Sequence, residues 1–122
     1  MTRTLASLLL LCVAAANAAA ECTAPESPNL PAGASSTLAD MLDAQKAVKT
    51  FQTENMAYMK CLEQAFTAAE KASKKGSDEE KAAAAEEYQR TVNAYNAAVS
   101  EEEAVAGRFN TEIRAYKDAN PD

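Results

Sequence analysis

Two stretches of the chain, residues 41–69 and 85–116, place apolar residues at alternating steps of three and four. That spacing aligns side chains along one side of an α-helix and, sustained over more than four heptads, is typical of helices that pack as a coiled coil. Ala, Lys, Glu, Gln, Met and Leu dominate the first stretch, and these residues favour helix. We therefore predict an all-α protein with helix 1 over residues 37–74 and helix 2 over residues 78–118.

The apolar positions define a seam, the row of side chains through which the two helices would pack. In helix 1 the predicted seam comprises Met41, Ala44, Val48, Phe51, Asn55, Tyr58, Leu62, Ala65 and Ala69. In helix 2 it comprises Ala85, Tyr88, Val92, Tyr95, Val99, Glu102, Ala106, Phe109, Ile113 and Tyr116. The two rows match in length and phase, which predicts a helical hairpin.

The segment around Gly76 separates the helices. Glycine suits the left-handed conformation that often follows a helix, and Ser77 with Glu80 makes a capping box that begins helix 2. Thr37 and Asp40 are the corresponding pair at the start of helix 1. A turn of so few residues makes the helices antiparallel neighbours, so we expect one hairpin domain over residues 37–119.

Residues 1–20 have the layout of a secretion signal. Arg3 provides the positive start, residues 5–16 are apolar, and small residues suited to cleavage end at position 18 or 20. The apolar run is shorter than the roughly 20 residues that a membrane-spanning helix needs. We expect a cleaved signal peptide and a periplasmic or secreted protein with no stable membrane insertion.

Cleavage would remove Cys12 and leave two of the three cysteines, Cys22 and Cys61. An even pair in an oxidising compartment usually forms a disulfide. A redox role is the alternative, but the pair lacks the CxxC spacing of thiol oxidoreductases. We predict a structural Cys22–Cys61 disulfide.

This disulfide would determine the path of the N-terminal segment, residues 21–36. Prolines at 25, 28 and 31 exclude a helix and favour an extended conformation. Cys61 lies 24 residues after Thr37, or about 36 Å along a helix. The fourteen steps from Cys22 to residue 36 span roughly 43 Å in polyproline geometry. The segment can therefore return along helix 1 as an extended, proline-rich strap.

A pair of helices buries only one seam, and small domains often need a covalent link or oligomerisation for stability. The Cys22–Cys61 disulfide would supply the covalent link. We also expect dimerisation to a four-helix bundle.

Charge and composition exclude several function classes. Removal of Arg3 leaves 11 basic against 18 acidic residues, a net charge of about −7, which disfavours nucleic acid and anionic membranes. The chain contains no histidine, the usual general base and the commonest metal ligand. It also lacks a glycine-rich phosphate loop and a nucleophile elbow. We expect no catalytic residue and no cofactor.

Three polar residues, Gln52, Asn55 and Glu102, lie near the middle of the predicted seam. Single polar residues there usually determine register and partner choice, with Glu102 reaching Gln52 or Lys49 across the hairpin. A cation site that also uses Glu101 and Glu103 is the alternative. Consecutive helical residues point about 100° apart, so the three glutamates cannot converge on one ion.

Several short segments resemble a group of short exported proteobacterial helical proteins of unassigned function. They are Cys22, Pro28 to Gly33, Met41, Ala47-Val48-Lys49, Tyr58, Cys61-Leu62, Phe109-Asn110 and Arg114 to Lys117. The resemblance implies an exported bacterial protein and supplies no catalytic or binding residue.

We therefore expect a non-enzymatic protein of the bacterial envelope that acts through contact with a protein partner or through self-association. The alternative is a small-ligand or metal-ion binding module that uses the mid-seam acids and tyrosines. The tyrosines are Tyr58, Tyr88, Tyr95 and Tyr116, and aromatic residues at this spacing more often belong to a core.

Overall fold

The computed structural model describes residues 21–121, so the predicted signal peptide lies outside the described part of the chain. A short 3-10 turn, Gly33–Ser35, precedes two long helices, α1 (Leu38–Ala72) and α2 (Asp78–Ala119). The helices pack against each other as an antiparallel hairpin, and residues 21–121 contain no strand. The predicted fold class and both helices are confirmed.

The predicted capping residues begin both helices. Thr37 and Ser77 each accept a hydrogen bond from the backbone N–H three residues on, and the Asp40 and Glu80 carboxylates accept from the cap backbone. The Thr37 hydroxyl, and then the Thr37 backbone N–H, lower the pKa of the Asp40 carboxyl. The Ser77 backbone N–H, and then the Ser77 side chain, lower the pKa of the Glu80 carboxyl. Gly76 has φ 90° in the turn, a left-handed conformation that glycine adopts without strain.

The seam of α1 follows the sequence prediction. Its buried residues are Met41, Ala44, Val48, Phe51, Asn55, Leu62 and Ala69. All of them belong to the predicted row, and the remaining two members, Tyr58 and Ala65, are half-buried.

The seam of α2 differs from the prediction by one residue at three positions. The buried residues are Thr91, Ala98, Val105 and Phe109, where the sequence predicted Val92, Val99, Ala106 and Phe109. At two positions the predicted valine, Val92 or Val99, lies beside a smaller residue that fills the row instead. At the third, Val105 fills the row in place of Ala106. With Ala98 in the row, the helices approach closely enough for the Asn55 amide to donate to the Ala98 carbonyl at 3.0 Å.

The core is concentrated in the half of the hairpin near the chain ends. Its buried members are Met41, Ala44, Val48, Phe51, Val105 and Phe109, with Leu30, Ile113 and Tyr116 packed against them. Towards the turn, Phe66 makes edge-on contacts with Tyr88 and Tyr95 at 6.2 and 5.9 Å between ring centres. Neither helix is long and apolar enough to cross a membrane, as far as residues 21–121 are concerned.

Candidate functional site

A disulfide ties the N-terminal segment to the middle of α1. Cys22 and Cys61 are bonded, with their Cα atoms 5.7 Å apart, so the predicted pairing is present. Residues 21–32 have no regular secondary structure. The polyproline conformation of the segment stays a prediction.

The N-terminal segment also contacts α2 through hydrogen bonds. The Ser27 hydroxyl donates to Glu101 Oε1, which also accepts from Arg108 Nη2 at 3.2 Å. The Gly33 N–H donates to Glu112 Oε2 at 2.7 Å. The bond from Ser27, with a smaller contribution from Arg108, lowers the pKa of the Glu101 carboxyl. The segment is therefore held against both helices.

Gly33 is the position where the segment approaches α2 most tightly. A Cβ atom there would lie 1.9 Å from the backbone carbonyl oxygen of Glu112. No side chain fits at that distance, so only glycine allows this contact. Glycine is needed here because of close backbone approach, whereas Gly76 is needed for its positive φ.

A shallow groove of about 480 Å³ follows the line where the segment meets α2. Its walls are Ser27, Pro28, Asn29, Leu30, Arg108, Thr111 and Glu112. The Ser27 hydroxyl and the Glu112 carboxylate are already used in the contacts that hold the segment, and Arg108 is paired with Glu101 on α2. The groove is thus a consequence of docking the segment and offers few polar groups to a ligand.

Two polar residues of the seam, Asn55 and Glu102, are joined by a hydrogen bond across the hairpin. Asn55, 2 % exposed, donates from Nδ2 to the Ala98 carbonyl and to Glu102 Oε2 at 2.9 Å. The partner of Glu102 across the hairpin is therefore Asn55, where the sequence suggested Gln52 or Lys49. Gln52 is half-buried at the edge of the seam. The amide of Asn55 is satisfied, as a buried polar group must be.

The remaining predicted candidates have packing contacts. Tyr88 and Tyr95 contact Phe66 edge-on, and Tyr116 packs against the core. Tyr58 is half-buried. Within residues 21–121, no group of three or more His, Cys, Asp or Glu side chains is placed to hold a metal ion.

The N-terminal segment covers one side of the hairpin and leaves the other side open. On an α-helix, consecutive residues point about 100° apart. Cys61 and Glu101, which contact the segment, each come one residue before a seam position. Residues that directly follow a seam position point to the side of the hairpin opposite the N-terminal segment. Because the helices are antiparallel, the same offset leads to the same side on both of them.

We call that other side the uncovered face. Its members on α1 and α2 include all the large apolar side chains that are exposed within residues 21–121: Leu38 (59 %), Leu42 (49 %), Met56 (64 %) and Val99 (37 %). Leu42, Met56 and Val99 each directly follow a seam position, and Leu38 precedes Leu42 by four residues, about one helical turn. The displaced valines of the predicted α2 seam belong to this face, so α2 carries two adjacent apolar rows, of which one packs on α1.

No protein-family model, curated protein or solved structure matches this chain. The function is therefore inferred from the contacts within the molecule itself. Sequence reasoning missed Ser27, Gly33 and Glu112 as residues that anchor the segment. No local signal in the sequence marked them, because the two hydrogen bonds join residues 74 and 79 positions apart.

Proposed function

We propose that this chain is an exported, non-enzymatic protein of the bacterial envelope that acts through protein–protein contact, with the uncovered face as its binding surface. One observation carries the proposal: within residues 21–121, the exposed large apolar side chains all lie on that face. Single exposed apolar residues are ordinary, but apolar surface gathered on one side marks an interaction site.

The compartment follows from the cysteines and the N-terminus. A disulfide persists in an oxidising environment such as the periplasm, and Cys22–Cys61 is formed in this fold. The first 20 residues carry the pattern of a cleaved signal peptide. Both observations support export of the chain.

Binding of a small ligand or a metal ion at mid-seam is the weaker alternative. Such a site would need Glu102 or the tyrosines to face a ligand. Glu102 instead accepts a hydrogen bond from the buried Asn55 amide, and Tyr88 and Tyr95 pack against Phe66. These groups stabilise the hairpin and its register.

Affinity capture from envelope extract tests the proposal. The bait is the tagged exported protein, compared with the double variant Met56→Glu/Val99→Glu. The control is Ala57→Glu/Ser100→Glu, which adds the same charge at exposed positions one residue further along each helix. We expect the wild type and the control to retain a specific protein, either a different protein or an untagged copy of this chain. The double variant should lose it.

The capture experiment has a clear contrary outcome. If the double variant retains the same proteins as the wild type, in the same amounts, the uncovered face is not the binding surface. Circular dichroism of each variant checks that the helices are intact.

A further inference from the structure

We propose that the uncovered face binds a second copy of this chain, with α1 antiparallel to α1 of the partner and a two-fold axis at Met56. This inference rests on the proposed function, because it names the partner of the same surface. It commits to one occupant and to one geometry.

A heptad-spaced row on α1 supplies the first argument. Leu42, Lys49, Met56, Glu63 and Glu70 follow each other at intervals of seven residues, and all are exposed. Seven residues are close to two full turns of helix, so these side chains lie along one line on the helix surface. Leu42 and Met56 place this line on the uncovered face.

The charges along this row change sign at Met56. Lys49 precedes it by seven residues and Glu63 follows it by seven, so each lies about 10 Å from the centre along the helix. An antiparallel copy centred on Met56 brings Lys49 opposite Glu63 twice and Met56 opposite Met56. A parallel copy would bring like charges together. The central part of the row, Lys49, Met56 and Glu63, is thus complementary to itself in the one orientation that a two-fold axis perpendicular to α1 produces. At the ends of the row Leu42 lies opposite Glu70, which is paired with Lys74 on its own helix.

The charges of Lys49 and Glu63 are also free for such a contact. Among the described residues, the ion pairs on α1 join Lys46 to Asp43 and Lys74 to Glu70. Lys49 and Glu63 take part in no ion pair within residues 21–121. They are therefore available to pair across an interface.

The apolar part of the contact comes from both helices. Asn55 bonds to the carbonyl of Ala98, so Met56 and Val99, the residues that follow them, lie at the same level of the hairpin. Half-buried Met59 and Val92 continue this surface towards the turn. Two hairpins stacked on this face form a four-helix bundle, which buries exposed Val99 and the half-buried residues of the same α2 row.

Cysteine cross-linking tests the position of the axis. The probe is the exported protein with Met56→Cys, oxidised under mild conditions while Cys22–Cys61 stays intact. A disulfide needs Cα atoms within about 7 Å, which only residues close to the axis reach. We expect a covalent dimer from Met56→Cys and none from the matched variant Ala57→Cys, which lies at the same level but points about 100° away.

Charge reversal tests the pairing. Lys49→Glu and Glu63→Lys each place like charges across the interface twice, and we expect each to weaken the dimer by roughly tenfold in sedimentation analysis. The double variant Lys49→Glu/Glu63→Lys restores opposite charges and should restore the wild-type affinity. Lys60→Glu, an exposed charge change off the row, serves as the control and should have little effect.

Two results overturn the inference. A strict monomer at high micromolar concentration excludes self-association. The proposed function is then decided separately by the affinity capture, which asks whether Met56→Glu/Val99→Glu loses a captured partner. A dimer that does not cross-link at position 56, or whose affinity the double charge reversal fails to restore, excludes this geometry.

Discussion

The hairpin has two halves that differ in how they are covered, although the same two helices build both. The base half, residues 38–61 with 93–119, contains the main core and is overlaid by the N-terminal segment through Leu30 and Gly33. The turn half, residues 62–72 with 78–92, lies beyond the disulfide. Its buried residues are Leu62, Ala69 and Thr91, and Phe66 is half-buried.

The difference teaches how a two-helix protein of this size obtains a core. A third layer is present only where the segment lies on the helices, and there Val105 reaches 0 % exposure. In the turn half the helices have small residues, Ala69 and Thr91, at their contact. Regions with fewer buried apolar contacts open at lower free energy, so we expect the turn half to open before the base half.

The largest expected effect compares the same substitution in the two halves. Phe51→Ala in the base half should reduce the free energy of unfolding by about 3–5 kcal/mol, because it leaves a cavity in a closed core. Phe66→Ala, in the turn half, removes a half-buried ring and two edge-on contacts and should cost distinctly less. Urea unfolding followed by circular dichroism measures both. Equal losses would show that the halves are equally well packed.

An intermediate effect is expected from opening the disulfide. Cys61→Ser should lower the free energy of unfolding by about 2–4 kcal/mol and release the N-terminal segment, while helicity is largely retained. Hydrogen exchange should rise at residues 22–33 and in the base half, with little change near the turn.

Cys22→Ser breaks the same bond from the other end and is the matched control. Both variants should behave alike. A collapse of helicity in either of them would mean that the disulfide holds the hairpin itself together, and the contrast between the halves would then be wrong.

The smallest effect comes from a pair of glycine substitutions with opposite signs. Gly33→Ala should destabilise by about 1–3 kcal/mol, because its Cβ would overlap the Glu112 carbonyl and push the segment off α2. Gly107→Ala meets nothing within 4 Å and lies inside α2, so it should stabilise by about 0.5–1 kcal/mol. Thermal unfolding of the two variants measures the difference. A neutral Gly33→Ala would show that the base half does not depend on the docked segment.

The sequence predicted the helices, the turn and the disulfide because these depend on local signals. Capping pairs, the position of Gly76 and the heptad spacing are all read over a few residues. The length of the segment between Cys22 and helix 1 then made the pairing with Cys61 geometrically reasonable. Dimerisation stays a prediction.

The register of α2 could not be predicted in the same way. At 91–92, 98–99 and 105–106 two neighbouring residues compete for one row. The valine loses at the first two pairs and fills the row at the third, so apolar size does not decide the outcome. The outcome depends on how closely the two helix backbones approach. The buried Asn55 amide requires a close approach, because it donates to the backbone carbonyl of Ala98 on the other helix. The contact of Gly33 with Glu112 likewise joins residues 79 apart, and no local pattern indicates it.

The disulfide also determines how the molecule would respond to mechanical force. If the chain were pulled from its two ends, the segment between Cys22 and Cys61 could not extend, because the disulfide joins these two residues, 39 apart in the sequence. The tension would bypass the first two-thirds of α1 and enter that helix at Cys61. It would then run through residues 62–119, so the chain would extend by separating α2 from α1 while the ring closed by the disulfide kept its length.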